Sequence, residues 1–134
     1  MSMREDSEFV LDTHTLIWWL EESARLPNRI RRLLDAMDSG LGVGVVPTIV
    51  LAEMISIAEK GLLRLDIDKV LADIMETPNF EVIPFDSDMV LRMHKIRGLE
   101  LHDRIIVATA LSLNLGLITR DGQIRESGLV ECIW

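Results

Sequence analysis

The sequence predicts an α/β fold, a three-layer α/β/α sandwich with a central, mostly parallel β-sheet. Short apolar segments rich in β-branched residues alternate with longer segments of helical periodicity. Glycine, proline and aspartate separate many of these segments, as they do at the ends of helices and strands. The 134 residues, 49% of them hydrophobic, can form one substantial core, so we expect a single domain over residues 1–134.

In the first half of the chain, each of two apolar segments is followed by residues with helical periodicity. Apolar residues from Ile30 to Met37 recur at i, i+3, i+4 and i+7, which indicates one face of an amphipathic helix. Gly61 is placed to end a later helix. The expected elements are strands over 8–11 and 43–46 and helices over 13–20, 27–38, 47–60 and 66–76.

The second half continues the alternation. Pro78 ends the preceding helix, because proline disfavours helical backbone in the residue before it. Asp121 and Gly122 form a dipeptide typical of turns. The expected elements are strands over 80–85, 117–119 and 130–133 and helices over 86–97 and 102–114, with a turn at Asp121-Gly122.

The charge balance excludes some functions. Fourteen basic and 22 acidic residues give a net charge of −8, which argues against nucleic-acid binding through a basic surface but suits a basic protein partner. A nuclease remains possible, because clustered carboxylates that hold divalent cations also make a chain acidic. Aromatic residues are only 4% of the chain, so a base-stacking platform is not expected. The single cysteine provides neither an internal disulfide nor a thiolate cluster for zinc.

Nothing in the chain resembles a membrane anchor or a leader. Its apolar runs are shorter than the roughly 20 residues that a membrane span requires. Arg4, Glu5, Asp6 and Glu8 near the N-terminus do not fit a secretory signal peptide. We therefore expect a cytoplasmic protein without membrane association.

Two aspartates follow predicted strands. Asp12 comes directly after the first strand and Asp121 shortly after the fourth. In open parallel sheets, binding sites lie beyond the carboxyl ends of the strands, at a switch in strand order. The alternative roles are an N-cap of the next helix for Asp12 and a plain turn residue for Asp121.

Two further acids lie on predicted helices in unusual positions. Glu53 projects from the apolar face of its own helix, where an unpaired carboxylate is costly, although Lys60 could form a salt bridge with it. Asp103 opens a very apolar helix that must pack on the sheet, so its N-terminus is expected to point inward. A carboxylate in a first turn is, however, also favoured by the helix dipole alone.

Clustered carboxylates raise one another's pKa unless a cation neutralises them. Oxygen ligands without cysteines or paired histidines favour a hard cation, Mg²⁺ or Mn²⁺. His14 and His102 each neighbour one of the acids and are weaker candidates for contact with a ligand or substrate, whereas His94 is expected to be structural.

With these positions assigned, the chain resembles a PIN domain of the VapC-type toxin branch of toxin–antitoxin systems. The resemblance extends from Phe9 to Trp134 and includes several motifs in the family's order. These motifs are Asp12-Thr13-His14 with the following LIWWL, Leu51-Ala52-Glu53, the segment HDRIIVATA that contains Asp103, LITRD ending at Asp121, and the terminal Ile133-Trp134.

The resemblance implies a Mg²⁺- or Mn²⁺-dependent endoribonuclease that leaves a 5′-phosphate and a 3′-hydroxyl. It further implies an acidic cluster with Asp12 and Asp103 as direct metal ligands. It also implies a homodimer and a cognate antitoxin protein that inserts a segment into the site. The residues with implied roles are Asp12, Glu53, Asp103 and Asp121 in the cluster, Thr119 as an orienting hydroxyl, Arg104 as a phosphate or acid contact, and Thr13 and His14 as further contacts.

One segment departs from the family pattern. Glu100-Leu101-His102 stands where relatives often have Asp-Pro-Phe, which leaves the local loop and the role of Glu100 open. The fourth acid varies in the family, and Asp121 stands at that position.

Three other readings of these acids remain. A haloacid-dehalogenase-like phosphatase needs a second acid two residues after the first, where this chain has His14. A phosphoreceiver domain expects an earlier acidic pair, but Leu11 precedes Asp12, and a lysine near its threonine, but Arg120 follows Thr119. A catalytically silent PIN-like binding module would keep the fold without turnover.

Overall fold

A parallel five-stranded sheet forms the centre of the computed structural model, which describes residues 7–134. Arg4, Glu5 and Asp6 therefore lie outside the described residues. The strands are β1 (Glu8–Leu11), β2 (Val43–Pro47), β3 (Phe80–Ile83), β4 (Gly116–Ile118) and β5 (Cys132–Ile133).

The sheet has the strand order β3-β2-β1-β4-β5, and every adjacent pair is parallel. The chain leaves β1 toward β2 and β3 on one side and later returns to place β4 and β5 on the other. The order therefore reverses between β1 and β4, which makes this the topological switch point of the sheet.

Both faces of the sheet are covered by helices. Val10 and Leu11 are consecutive residues of β1, so their side chains point to opposite faces, and both are fully buried. Leu117 and Ile118 of β4 are buried in the same way. The predicted three-layer α/β/α architecture is confirmed, and the sheet is wholly rather than mostly parallel.

The helices follow the predicted order, with one addition and several shorter elements. A short helix, α7, replaces the predicted turn at Asp121-Gly122, because the Asp121 side chain caps it by accepting a hydrogen bond from the Ile124 N–H. The strand expected over 80–85, the helix over 86–97 and the strand over 130–133 are all shorter than predicted. The helices are α1 (Thr13–Leu20), α2 (Asn28–Asp38), α3 (Thr48–Glu59), α4 (Ile67–Glu76), α5 (Ser87–His94), α6 (Leu101–Leu113) and α7 (Gly122–Ser127).

The end of α3 agrees with the sequence. Gly61 adopts a φ of +73°, and its N–H bonds to the Ala58 carbonyl while the Leu62 N–H reaches the Ile57 carbonyl. This is the left-handed glycine cap that commonly ends a helix. Within residues 7–134, no helix is long and apolar enough to cross a membrane.

Gly44 in β2 is required by close packing. A Cβ at this position would lie 2.7 Å from Cδ1 of Phe80 and 3.1 Å from Cδ1 of Leu11, and both side chains belong to the core. We expect Gly44→Ala to lower the free energy of unfolding by about 1–3 kcal/mol through overpacking. Urea denaturation measures this, with Gly122→Ala as the control because a Cβ there meets nothing within 4 Å. Equal stability of the two variants would contradict the packing account.

Candidate active site

The switch point between β1 and β4 brings together residues that are far apart in the sequence. Asp12 directly follows β1, and its backbone N–H bonds to the Ile118 carbonyl of β4 at 3.2 Å. Thr119 directly follows β4 and is fully buried. Asp12 and Thr119 therefore emerge side by side at the carboxyl edge of the sheet.

Both carboxylate oxygens of Asp12 accept hydrogen bonds. The Thr13 N–H donates to Oδ1 at 2.7 Å, and the Thr119 hydroxyl donates to Oδ2 at 2.5 Å. Asp12 is thus the N-cap of α1, as the simpler alternative predicted, yet its second oxygen is turned toward β4. Burial raises the pKa of the Asp12 carboxyl, and the hydrogen bonds from Thr119 and Thr13 act in the opposite direction.

Glu53 of α3 reaches the same region across the gap between helices. The Thr13 hydroxyl donates to Glu53 Oε1 at 2.8 Å, and His102 Nδ1 lies 3.2 Å from Oε2. These groups, and not Lys60, are the polar partners of Glu53 in the structure. The expectation that Glu53 faces inward is therefore met by a side chain held between α1 and α6.

Asp103 contributes a third carboxylate from the first turn of α6. Burial, and then the negative charges of Asp121, Asp12, Glu100 and Glu53, raise the pKa of the Asp103 carboxyl to about 6. Burial is the largest cause of this shift, and the four neighbouring acids add to it because their negative charges disfavour ionisation of Asp103. The acids predicted from separate segments thus form one electrostatically coupled group.

These acids line a single cavity of about 330 Å³. Glu100, whose role the sequence left open, is the fifth carboxylate in its wall, and Arg120 is its cation. The lining residues are Asp12, Thr13, His14, Thr15, Trp18, Glu53, Glu100, Asp103, Arg120 and Asp121.

Of the remaining predicted site residues, His14 lines this cavity and Arg104 does not. His14 is exposed at the cavity wall, with its ring 5.7 Å from that of Trp18. Arg104 instead donates from its guanidinium to the Met93 carbonyl at 2.9 Å. Arg120 was missed because a single arginine beside an Asp-Gly dipeptide carries no distinguishing pattern in the sequence.

A family model for the PIN domain matches residues 9–128, which include every lining residue of this cavity. The chain belongs to the PIN domain family. This family assignment replaces the phosphatase and phosphoreceiver alternatives. No curated protein sequence gives a significant match to the chain.

Solved structures share the fold of this PIN domain. A chain of the VapBC2 complex from Rickettsia felis, bound to a DNA fragment from its promoter, superposes with a TM-score of 0.70 at 15% identity, covering 94% of this chain and 97% of that one. A chain of DNA-bound VapBC from Salmonella typhimurium gives 0.70 at 23% identity, covering 94% and 96%. The PIN domain endonuclease Utp24 gives 0.51 at 15%, covering 89% and 74%.

The chemistry of the PIN-domain cavity fits a divalent cation. Its carboxylates offer hard oxygen ligands, and the pKa of Asp103 is raised by burial and then by neighbouring negative charges that a cation would neutralise. Among residues 7–134, no three His, Cys, Asp or Glu side chains are arranged so that they could hold an ion as they stand. Mg²⁺ does not require such a cage, because it keeps several waters and binds through one or two carboxylates together with substrate phosphates.

Proposed function

We propose that this PIN domain is a Mg²⁺- or Mn²⁺-dependent endoribonuclease and the toxin of a toxin–antitoxin pair. The observation that carries the proposal is the convergence of five carboxylates on one cavity at the switch point, with the Asp103 pKa raised to about 6. A structural role does not account for this arrangement, because it leaves like charges facing one another.

In this proposal Asp12 and Asp103 are the direct metal ligands, and Glu53 and Asp121 complete the site. The cation would neutralise charge on the scissile phosphate and lower the pKa of an attacking water. Neighbouring groups of the chain orient these carboxylates through hydrogen bonds. Thr119 and the Thr13 N–H hold the two oxygens of Asp12, while the Thr13 hydroxyl and His102 hold those of Glu53.

Proton transfer completes the proposed reaction. An acidic residue of the cavity accepts the proton of the attacking water, whose oxygen bonds to phosphorus in line with the P–O3′ bond that breaks. The departing 3′ oxygen takes a proton from solvent, which leaves a 5′-phosphate and a 3′-hydroxyl. Glu53 suits this role, because its carboxylate lies in the cavity wall and is oriented by two side-chain partners, Thr13 and His102.

Likeness to toxin–antitoxin complexes supports the proposed partner. A chain of a toxin–antitoxin complex from Klebsiella pneumoniae superposes with a TM-score of 0.66 at 22% identity. The net charge of −8 and the acidic cavity suit an antitoxin that inserts a basic segment. We further propose that the protein is cytoplasmic and acts as a homodimer.

The test of the proposed activity is cleavage of a random-sequence pool of long RNAs by the purified chain. We expect internal cuts in the presence of Mg²⁺ or Mn²⁺, none in EDTA, and products whose 5′ ends carry phosphate that a ligase can use. Cleavage that survives EDTA would contradict the metal dependence, and the absence of any cleavage would contradict the nuclease.

Thr119 offers a test of how Asp12 is oriented. Thr119→Val keeps the shape of this buried residue but removes the hydroxyl that donates to Asp12 and accepts from the Asp121 N–H at 3.0 Å. We expect kcat for RNA cleavage to fall about 10- to 100-fold, as for other losses of groups that orient metal ligands. Thr119→Ser retains the hydroxyl and serves as the control. Equal kcat values for the two variants would show that the hydroxyl does not orient the site.

A further inference from the structure

Arg120 is the arginine of the acidic cavity, and its charge is not paired with the carboxylates there. It lines the same cavity as five carboxylates, yet it forms no ion pair with any residue in the described range 7–134. Its guanidinium instead lies over the indole of Trp18, 5.1 Å from the ring centroid. The Arg120 side chain is exposed, so its N–H groups remain open to a ligand from solvent.

A second arginine shares this support. The guanidinium of Arg25, in the loop between α1 and α2, lies 5.7 Å from the centroid of the same Trp18 ring. Arg25 is also exposed and also has no ion pair within the part of the chain that the structure describes. Two cations from distant parts of the sequence thus contact the same indole.

Trp18 is suited to hold them in place. Only 7% of its surface is exposed, and its ring packs edge-on against Trp134 at 5.9 Å and beside His14 at 5.7 Å. A guanidinium over an indole face gains a cation–π interaction while its N–H groups still point outward. The indole can therefore hold the guanidinium of each arginine while leaving its N–H groups accessible to a ligand.

This arrangement is chemically matched to an anion. The planar donor fork of arginine fits phosphate and carboxylate geometry, and neither Arg120 nor Arg25 has an ion-pair partner among residues 7–134. Arg120 bridges the two features, since it touches both the acidic cavity and the indole. A phosphate bound by Arg120 would therefore lie at the wall of the acidic cavity.

We propose that Arg120 and Arg25, each supported by Trp18, form a subsite for RNA phosphates that neighbour the scissile one. The identity of the polymer rests on the proposed ribonuclease function. Arg120 takes the role that the family resemblance implied for Arg104, whose guanidinium is engaged by the Met93 carbonyl. The subsite offsets the repulsion between the acidic cavity and the RNA backbone and sets the register of the strand.

Binding is tested with a fluorescein-labelled random-sequence RNA of 20 nucleotides in EDTA, where cleavage plays no part. Anisotropy over a series of salt concentrations compares the wild type with Arg120→Gln, Arg25→Gln and the exposed control Arg29→Gln. We expect Kd to rise about tenfold for each subsite variant, as for the loss of a hydrogen bond to a charged group. The slope of log K against log salt should shrink by about 0.7 for each lost phosphate contact on a single strand.

Two further measurements separate a binding role from a structural one. Arg120→Lys should restore the salt slope, because it restores the charge, whereas a purely structural role would require the planar group. With Mg²⁺ present, KM should rise in Arg120→Gln while kcat changes little.

The outcomes distinguish this subsite from the nuclease proposal. If the wild type fails to cleave RNA but the two subsite variants bind it more weakly than Arg29→Gln does, the nuclease is wrong and the subsite stands. If the wild type cleaves RNA while all three variants bind equally, the subsite is overturned and the nuclease stands. Failure of the wild type to bind RNA even at low salt also overturns the subsite, as expected if the arginines serve a protein partner instead.

Discussion

Asp12→Asn is expected to reduce metal-dependent RNA cleavage by at least about 100-fold, the scale typical of losing one preorganised electrostatic group. Asparagine keeps an oxygen that can accept the Thr13 N–H, so α1 retains its cap. The buried carboxylate has a raised pKa, which means that burial already disfavours its charge. The fold should therefore tolerate the neutral amide while the proposed metal ligand is lost.

The measurement for Asp12 combines initial cleavage rates with thermal unfolding. Asp38→Asn, which changes an exposed carboxylate at the end of α2, is the control and should retain wild-type rates. Asp12→Asn that unfolds with the wild-type Tm and cleaves RNA at the wild-type rate would remove Asp12 from the site.

Asp103→Asn is expected to reduce metal-dependent RNA cleavage to a similar extent. It should also stabilise the metal-free protein at high pH. The Asp103 pKa is raised from 3.8 to about 6 in the folded chain, so the folded state binds more protons than the unfolded state between these values. Stability of the wild type must then fall as pH rises through this window, and the loss persists above it. The variant lacks this loss, although it also loses the favourable interaction of the carboxylate with the α6 dipole.

The signature is the difference in Tm between Asp103→Asn and the wild type in EDTA. This difference should become more positive from pH 4 to pH 7 and then level off. The expected total change is about 4 °C, which corresponds to roughly 1 kcal/mol of unfolding free energy after allowance for solvent screening. Saturating Mg²⁺ at pH 8 should raise the Tm of the wild type but not that of the variant. A Tm difference independent of pH would contradict the placement of Asp103 in a partly buried position among the other acids.

The fold was predictable because its signals are local. The strands around Val10, Val45 and Leu117 are apolar runs bounded by turn residues, and the amphipathic helix that contains Ile30 has a regular period. Helix α7 was not predictable in this way, since Asp-Gly also begins many turns. Its formation depends on the Asp121 side chain accepting the Ile124 N–H, a choice that tertiary context makes.

The acids of the candidate site could be predicted because each stands out against an apolar background. Asp12 follows a buried strand, Glu53 interrupts an apolar helix face, and Asp103 opens an apolar helix. The residue pattern alone could not show which of Arg120 and Arg104 lines the cavity, because the direction of a side chain at a helix or strand end depends on neighbouring elements. Arg104 is drawn to the Met93 carbonyl and Arg120 to the Trp18 ring, and neither contact has a sequence signature.

The central claim is that these carboxylates hold a divalent cation, and the most direct measurement is anomalous diffraction from crystals of the protein soaked in Mn²⁺. The account predicts an anomalous peak in the cavity with ligands from Asp12 and Asp103, and no such peak in the Asp12→Asn variant. A Mn²⁺ peak bound elsewhere, or a cavity without one at saturating Mn²⁺, would contradict it.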